Sequence, residues 1–316
     1  MSVTAALEDP APSAHPAGGS SLGAGESVRE FRTSPDIALI DGAVPLTWWT
    51  YAPNIGDLLG PYLVRAMTGR PVRLVESPAR TPGLGRFRRI MKPSNVSYLT
   101  IGSIINKANR RSIVWGSGSF GTETRQTIER RASYRAVRGP LTRNLLRLAG
   151  VSCPDVYGDP ALLMPMVFRP HPEKTYRVGL ILRHSERDRL ASIVEPGVAL
   201  IDMRDTDVEG VISRMLECEQ VIAASLHGLV LADAYGIPSA WLASNTPKGL
   251  EFKYHDYFLS VDKVRRPQHL DFAARRLSIS DLEALDYDSR PIKFDHDRLL
   301  SACPLVDAWP SPPASS

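Results

Sequence analysis

Cysteine is scarce in this chain. Cys153, Cys218 and Cys303 are the three in 316 residues, far apart and without a C-x-x-C pair. A disulfide framework and a cysteine-based zinc site are thereby excluded, and so low a count suits a reducing compartment. Long apolar runs are missing too, since none reaches the roughly eighteen residues that a membrane-spanning helix needs. Charge is nearly balanced, +4 from 38 basic and 34 acidic residues, which argues against a nucleic-acid tail. Residues 1–35 are rich in Ala, Gly, Ser and Pro and lack the charged-then-apolar layout of a signal peptide, so a disordered leader is expected. Residues 310–316 read as a disordered tail for the same reason, and a cytoplasmic protein is expected. Walker A, H-E-x-x-H and G-x-S-x-G patterns are also absent, which leaves Ser225 without the arrangement that activates a hydrolase serine.

What remains is the composition of an ordinary soluble globular protein, 43% hydrophobic and 23% charged, long enough for two domains. Basic residues cluster at Arg86 to Arg89, at Arg110-Arg111 and from Arg130 to Arg147, which suits either an acidic substrate or membrane surface or merely solvated helix faces. Apolar periodicity predicts strand and helix in alternation. A helix opens at Asn54-Ile55-Gly56-Asp57, with Leu58, Leu59, Tyr62, Leu63 and Met67 on helical spacing, and closes at Gly69. Strands follow at 72–75, 96–101, 113–115 and 134–137, then a proline-initiated helix at 140–148. The passage Phe168 to Pro172 reads as a linker. Beyond it come strands at 177–182 and 198–203, a helix at 207–219 and a further strand, helix and strand. Thr206 and Glu209 have the spacing of a capping box. The class is therefore α/β, two parallel-sheet domains facing a cleft, at 36–168 and 173–262, with a helical segment at 263–309.

The segment Val221 to Pro238 is the most informative. An apolar strand stops at Ser225, a small-residue helix is expected from Gly228, and His227 lies between them. Ligands of open parallel sheets bind beyond the carboxyl ends of strands, where a helix N-terminus offers unpaired N–H groups to an anion. His227 is therefore a candidate acid/base beside an anion site, or else a residue that only caps the turn. Arg183 and His184 end another strand on the same expected rim, Arg138 precedes the 140–148 helix, and Lys253 and Asp256 follow the last strand. A guanidinium at a strand end can fork onto a carboxylate or phosphate. Gly116-Ser117-Gly118-Ser119-Phe120-Gly121 fits G-x-G-x-x-G, but the next strand carries Tyr134-Arg135-Ala136-Val137-Arg138 where a dinucleotide site needs an acid. A tight glycine turn lining the cleft is the better account. Asp205-Thr206-Asp207 looks like a metal-binding D-x-D, yet helix capping explains it without a metal.

Together, Asn54-Ile55-Gly56-Asp57, Gly102-Ser103, Trp115-Gly116-Ser117-Gly118, Arg135 to Pro140, Tyr157-Gly158-Asp159-Pro160 and Ser225-Leu226-His227-Gly228 resemble the polysaccharide pyruvyl transferase family. The resemblance implies a glycosyltransferase-B-like pair of Rossmann-type domains, phosphoenolpyruvate as donor and a pyruvate ketal on a bacterial exopolysaccharide or cell-surface glycan precursor as product. It implies His227 as the catalytic acid/base, and Arg183, His184, Ser225, Leu226, Gly228, Arg138 and Lys253 around the donor. Asn54, Gly56, Asp57, Ser117 and Gly118 fall on the acceptor side. Phosphoenolpyruvate is then a co-substrate, with no cofactor and no metal demanded, and the acceptor is a lipid-linked oligosaccharide or glycan. Peripheral contact with the inner membrane face is expected through Arg86 to Lys92. Relatives carry arginine where this chain has Ser225, so Arg183 or Arg138 must substitute for it. A nucleotide-sugar glycosyltransferase and a non-catalytic glycan-binding protein share the expected architecture and stay open.

Overall fold

A computed structural model describes residues 30–76, 95–182, 195, 197–243, 251–270 and 277–311. Among the described residues, two all-parallel sheets carry the fold, beside a two-stranded antiparallel one. The first contains β2 (Val44–Leu46), β3 (Val72–Leu74), β4 (Ser97–Leu99), β5 (Ser112–Trp115) and β6 (Ser133–Ala136), in the order β3-β2-β4-β5-β6. The second contains β7 (Tyr176–Ile181), β8 (Ala199–Ile201), β9 (Cys218–Ala223) and β10 (Ser239–Trp241), in the order β10-β9-β7-β8. In each, the strand that comes first in the chain lies inside the sheet, so the order reverses beside it. Such a reversal opens a crevice at the carboxyl ends, between β2 and β4 in one sheet and between β7 and β9 in the other.

Local chemistry explains the helices that leave these crevices. In α1 (Ile55–Thr68) the Asn54 side chain accepts from Gly56 N at 2.9 Å, and Gly69 ends the helix in the left-handed region at φ 63°. Leu59, Leu63 and Met67 bury its inner face. The helix α3 (Val208–Leu216) is capped by Asp207, whose Oδ1 accepts from Gly210 N at 3.0 Å, and not by Thr206 as expected. Glu209, assigned to the box, instead accepts from Tyr62 of α1. In α4 (Leu226–Ala234) helical geometry begins two residues earlier than expected, which puts His227 inside the first turn. Beyond β6, Tyr157 makes a single parallel bridge with Val137.

The first and last described strands pair with each other. β1 (Arg32–Thr33), within the span expected to be a leader, pairs antiparallel with β11 (Val306–Ala308). The 263–309 region supplies α6 (Ile279–Glu283) and α7 (His296–Ser301), and Leu299 O accepts from the buried Trp115 indole N–H at 2.9 Å. That tail therefore packs back on the first sheet.

The two sheets share one apolar cluster, running from Val44, Leu46 and Leu63 through Leu162 to Val221 and Leu229. A polar clamp supports it. Arg138, expected to meet an anionic donor, is fully buried. Its guanidinium donates to Asp256 Oδ2 at 3.1 Å, Ser103 Oγ at 2.7 Å and Ser119 O at 2.7 Å, so nothing of it reaches a ligand directly. Asp256 comes from α5 (Phe252–Ser260) and accepts from Thr142 N at 2.9 Å and Thr142 Oγ1 at 2.6 Å. It thus caps α2 (Pro140–Leu148), whose own N-cap, Gly139, has no side chain to do so. A Cβ on Gly139 would overlap the Asp256 carbonyl.

Removing one member of a buried ion pair leaves the other charge uncompensated, at a cost of about 3–5 kcal/mol. Asp256→Ala is expected to lower the unfolding free energy by about that much, measured by urea denaturation followed by circular dichroism. A loss below about 1 kcal/mol would show that the clamp does not hold the sheets together.

Candidate functional site

The two crevices face each other. The chain leaves β2 into the N-terminus of α1, and leaves β9 through Ser225 into the N-terminus of α4. At the meeting point Gly56 packs on His227 so closely that a Cβ there would overlap the imidazole Nδ1 and Cγ. Gly56 is thus required by approach, and the Asn54–Asp57 and Ser225–Gly228 segments form one place in the fold.

Opposite the imidazole stands Asp159. Its Oδ1 accepts from Ala161 N at 3.1 Å, at the start of a 3₁₀ segment, Pro160–Met166. Its Oδ2 lies 3.8 Å from His227 Nε2, too far for a direct hydrogen bond. Both atoms are buried and have no hydrogen-bond partner. Two facing polar atoms left unpaired in a folded interior are costly, which singles this position out.

Burial governs the titration of these groups. It pushes the His227 imidazole down to about 3, helped by the positive charges of Lys253 and Arg138. The ring is therefore neutral near physiological pH, and its approach to Asp159 is not an ion pair. Burial lifts Asp57 to about 7 although Lys253 and Lys107 pull the other way, and lifts Asp159 to about 6 against the Ala161 N–H and Arg138. Two carboxyls lifted toward neutrality, Asp57 further than Asp159, beside a neutral imidazole can deliver and accept protons in one turnover.

Lys253 is half-buried on α5, its Nζ 5.1 Å from the Tyr254 ring centroid and 5.8 Å from that of Phe120. Tyr254 stacks on Trp241 with centroids 4.8 Å apart and donates to Ala224 O at 2.8 Å, which seats α5 against the end of β9. Ser225 is the N-cap of α4 and makes no side-chain capping bond, so its hydroxyl does not satisfy the first N–H groups of that helix.

Several expected site residues do other work. Ser117 is fully buried and donates to Gly102 O at 2.9 Å. Gly118 lies against the Arg138 guanidinium, leaving no room for a side chain. Both therefore support the clamp instead of lining an acceptor surface, and the glycine turn containing them belongs to the core. Asn54 serves as the α1 cap, while Leu226 and Gly228 are buried, the latter against Ala223 and Ile181. Arg183, His184 and the Arg86–Lys92 stretch lie outside the described residues. Asp159 and Lys107 were not anticipated as site residues. Asp159 sits in the Gly158-Asp159-Pro160 turn, a signal for a turn that says nothing about where its second oxygen points. Among the described residues no group of three or more His, Cys, Asp or Glu side chains converges to hold a metal ion, and no helix is long and apolar enough to cross a membrane.

A family model described as polysaccharide pyruvyl transferase matches residues 81–246, just over half of the chain, so the chain belongs to that family. Among individual proteins, it is 28% identical over 192 residues to the succinoglycan biosynthesis protein ExoV of Rhizobium meliloti (strain 1021), covering 55% of this chain and 57% of that one. It is 27% identical over 222 residues to the uncharacterized protein L143 of Acanthamoeba polyphaga mimivirus, covering 66% of this chain and 76% of that one. A functionally uncharacterized Klebsiella pneumoniae protein of known structure aligns at a TM-score of 0.39 and 10% identity, over 69% of this chain and 87% of that one, too distant a likeness to carry an argument.

The shifted groups affect stability with opposite signs. A carboxyl whose folded pKa is raised favours folding most below its unfolded value and loses that contribution as pH rises through the folded one, here from about 4 to about 7 for Asp57. Asp57→Asn should therefore melt higher than the parent at pH 8 and lose that advantage at pH 4. His227 acts in reverse, since its lowered pKa removes stability as pH falls from about 6.5 toward about 3. His227→Gln should flatten the acid side of the melting curve. Parallel thermal melts across pH 4–8 test both, and an unchanged pH profile in both variants would mean the groups titrate normally.

Proposed function

We propose that the chain transfers pyruvate from phosphoenolpyruvate to a sugar of an exopolysaccharide or cell-surface glycan precursor, forming a pyruvate ketal and releasing phosphate. The reading rests on family membership and on one observation, the neutral His227 held among protonatable carboxyls where two strand-end crevices meet. The donor lies on the second sheet and the acceptor on the first, in a glycosyltransferase-B-like arrangement.

The chemistry has definite demands. C3 of the enol must gain a proton, which builds positive charge at C2. One sugar hydroxyl attacks C2 and loses its proton, and a second hydroxyl displaces phosphate and loses its own. One proton thus ends on C3 and one on the departing phosphate. Asp57, lifted to about 7, supplies the proton for C3, with Asp159, lifted to about 6, as the second carboxyl of the site. His227, neutral, accepts from an attacking hydroxyl. A bound anion stabilises the imidazolium so formed, which raises the low pKa of the free site. Lys253 and the first N–H groups of α4 receive the donor's carboxylate and phosphate. Where relatives are expected to carry arginine, Ser225 leaves Lys253 and Arg183 as the cations for this task. Arg138 contributes only through its buried charge. In this reading the enzyme works in the cytoplasm on a lipid-linked oligosaccharide, with peripheral contact at the inner membrane face.

Incubation with phosphoenolpyruvate and synthetic or lipid-linked glycosides should release phosphate and add a ketal mass to the glycan. Asp57→Asn and His227→Gln should each lower turnover by roughly 10²–10⁴-fold while phosphoenolpyruvate binding, by calorimetry, stays within about tenfold. Turnover should fall as pH rises above about 7 because Asp57 loses its proton. Near-parental turnover in both variants would remove them from the chemistry. Stabilisation by nucleoside diphosphates without phosphoenolpyruvate binding would point to glycosyl transfer.

A further inference from the structure

In a chain with 7% aromatic residues, Trp48-Trp49-Thr50-Tyr51 places three in four positions, just beyond β2 and before α1. Trp49 and Tyr51 form a pair with ring centroids 4.7 Å apart and planes at 57°. Lys107, from the 3₁₀ segment Ile105–Lys107 that follows β4, sets its Nζ 4.8 Å from the Trp49 centroid and 5.2 Å from the Tyr51 centroid. Lys107 is 6% exposed, whereas Trp49 is 41% and Tyr51 75% exposed. The cation therefore anchors the rings from the inner side and leaves apolar ring surface open to solvent.

Single exposed apolar residues are ordinary, whereas here two rings are paired, held by a buried cation and open on one side. It stands at the strand-order reversal of the first sheet, between β2 and β4. It also leads into the site, because the chain runs from Tyr51 directly to Asn54, the cap of α1, whose first turn carries Asp57, and the Lys107 ammonium acts on that carboxyl. A pyranose has one or two faces made of C–H groups with hydroxyls around the rim. Such a face is complementary to an exposed ring, whose π surface carries partial negative charge. Phosphoenolpyruvate, a small enol ester without a sugar ring, has no such face.

We propose that Trp49 and Tyr51 form a stacking subsite for a pyranose of the acceptor, which holds the sugar by its apolar face beside Asp57. This rests on the reading of the substrate as a glycan, and it assigns the acceptor to residues outside the Asn54–Asp57 and Ser117–Gly118 segments expected from the sequence.

Saturation-transfer NMR with methyl β-D-glucopyranoside, methyl β-D-galactopyranoside and methyl α-D-mannopyranoside tests the assignment. Sorbitol, which has hydroxyls but no ring face, serves as control. Transfer should reach ring C–H protons of one face in at least one pyranoside and be absent from sorbitol. It should fall about fivefold or more in Trp49→Ala and in Tyr51→Ala and largely persist in Trp49→Phe. Tyr51 is exposed enough that its replacement leaves the fold intact, and thermal melts verify the Trp49 variants. Equal transfer in the alanine variants, equal transfer to sorbitol, or no transfer to any pyranoside would overturn the subsite. Calorimetry with phosphoenolpyruvate on the same samples separates the two readings. Pyranoside stacking without phosphoenolpyruvate binding defeats the donor assignment alone, and the reverse defeats the platform alone.

Discussion

The buried contact between Arg138 and Asp256 is the constraint on which the rest of the structure depends. The arginine lies just beyond β6 of the first sheet, before α2, and the aspartate sits on α5, which follows the second. Both are completely buried, so each charge needs the other. Asp256 simultaneously caps α2, and Ser103 and Ser119 take the remaining guanidinium donors. One carboxylate therefore ties the second sheet's helix to a strand, a helix and two loops of the first. The glycines around it, Gly118 and Gly139, have no room for a side chain because the clamp lies against them. With the sheets held in this register, the N-termini of α1 and α4 meet, and Gly56 can touch His227.

That meeting also decides the electrostatics. Two lysines and a buried arginine surround the site, and by charge alone they would hold both carboxyls ionised. Burial outweighs them, raising Asp57 and Asp159 and lowering His227 together. The result is a pocket of nearly neutral groups inside a positive frame. An anionic co-substrate gains from the frame, and proton exchange gains from the neutrality, which is a combination neither feature alone supplies. It lowers stability at neutral pH, since Asp57 would ionise more readily in the unfolded chain.

Much of this was legible in the sequence. Apolar periodicity and glycine or proline punctuation located α1, α2, α4 and most strands, because those signals are local and short-range sterics enforce them. The position of His227 just beyond a strand end was legible too, as was membership of the polysaccharide pyruvyl transferase family, whereas its contact with Gly56 was not. The capping of α3 was misread by one residue, since Asp207 and Thr206 are both competent caps and only the packing of Glu209 against Tyr62 distinguishes them.

Sequence by itself determined the alternating α/β plan, the histidine after β9 and the family, all properties of residues near one another in the chain. Tertiary structure alone decided which charged residues face a ligand and which hold the fold. Arg138 and Lys253 look alike as cations near strand ends, yet one is enclosed by a carboxylate 118 residues away while the other lies half-buried beside the site. Asp159 became a partner of His227, and Trp49 and Tyr51 became a platform over Lys107, for the same reason. Burial and charge pairing are set by what the remote chain brings near, and no local pattern encodes that.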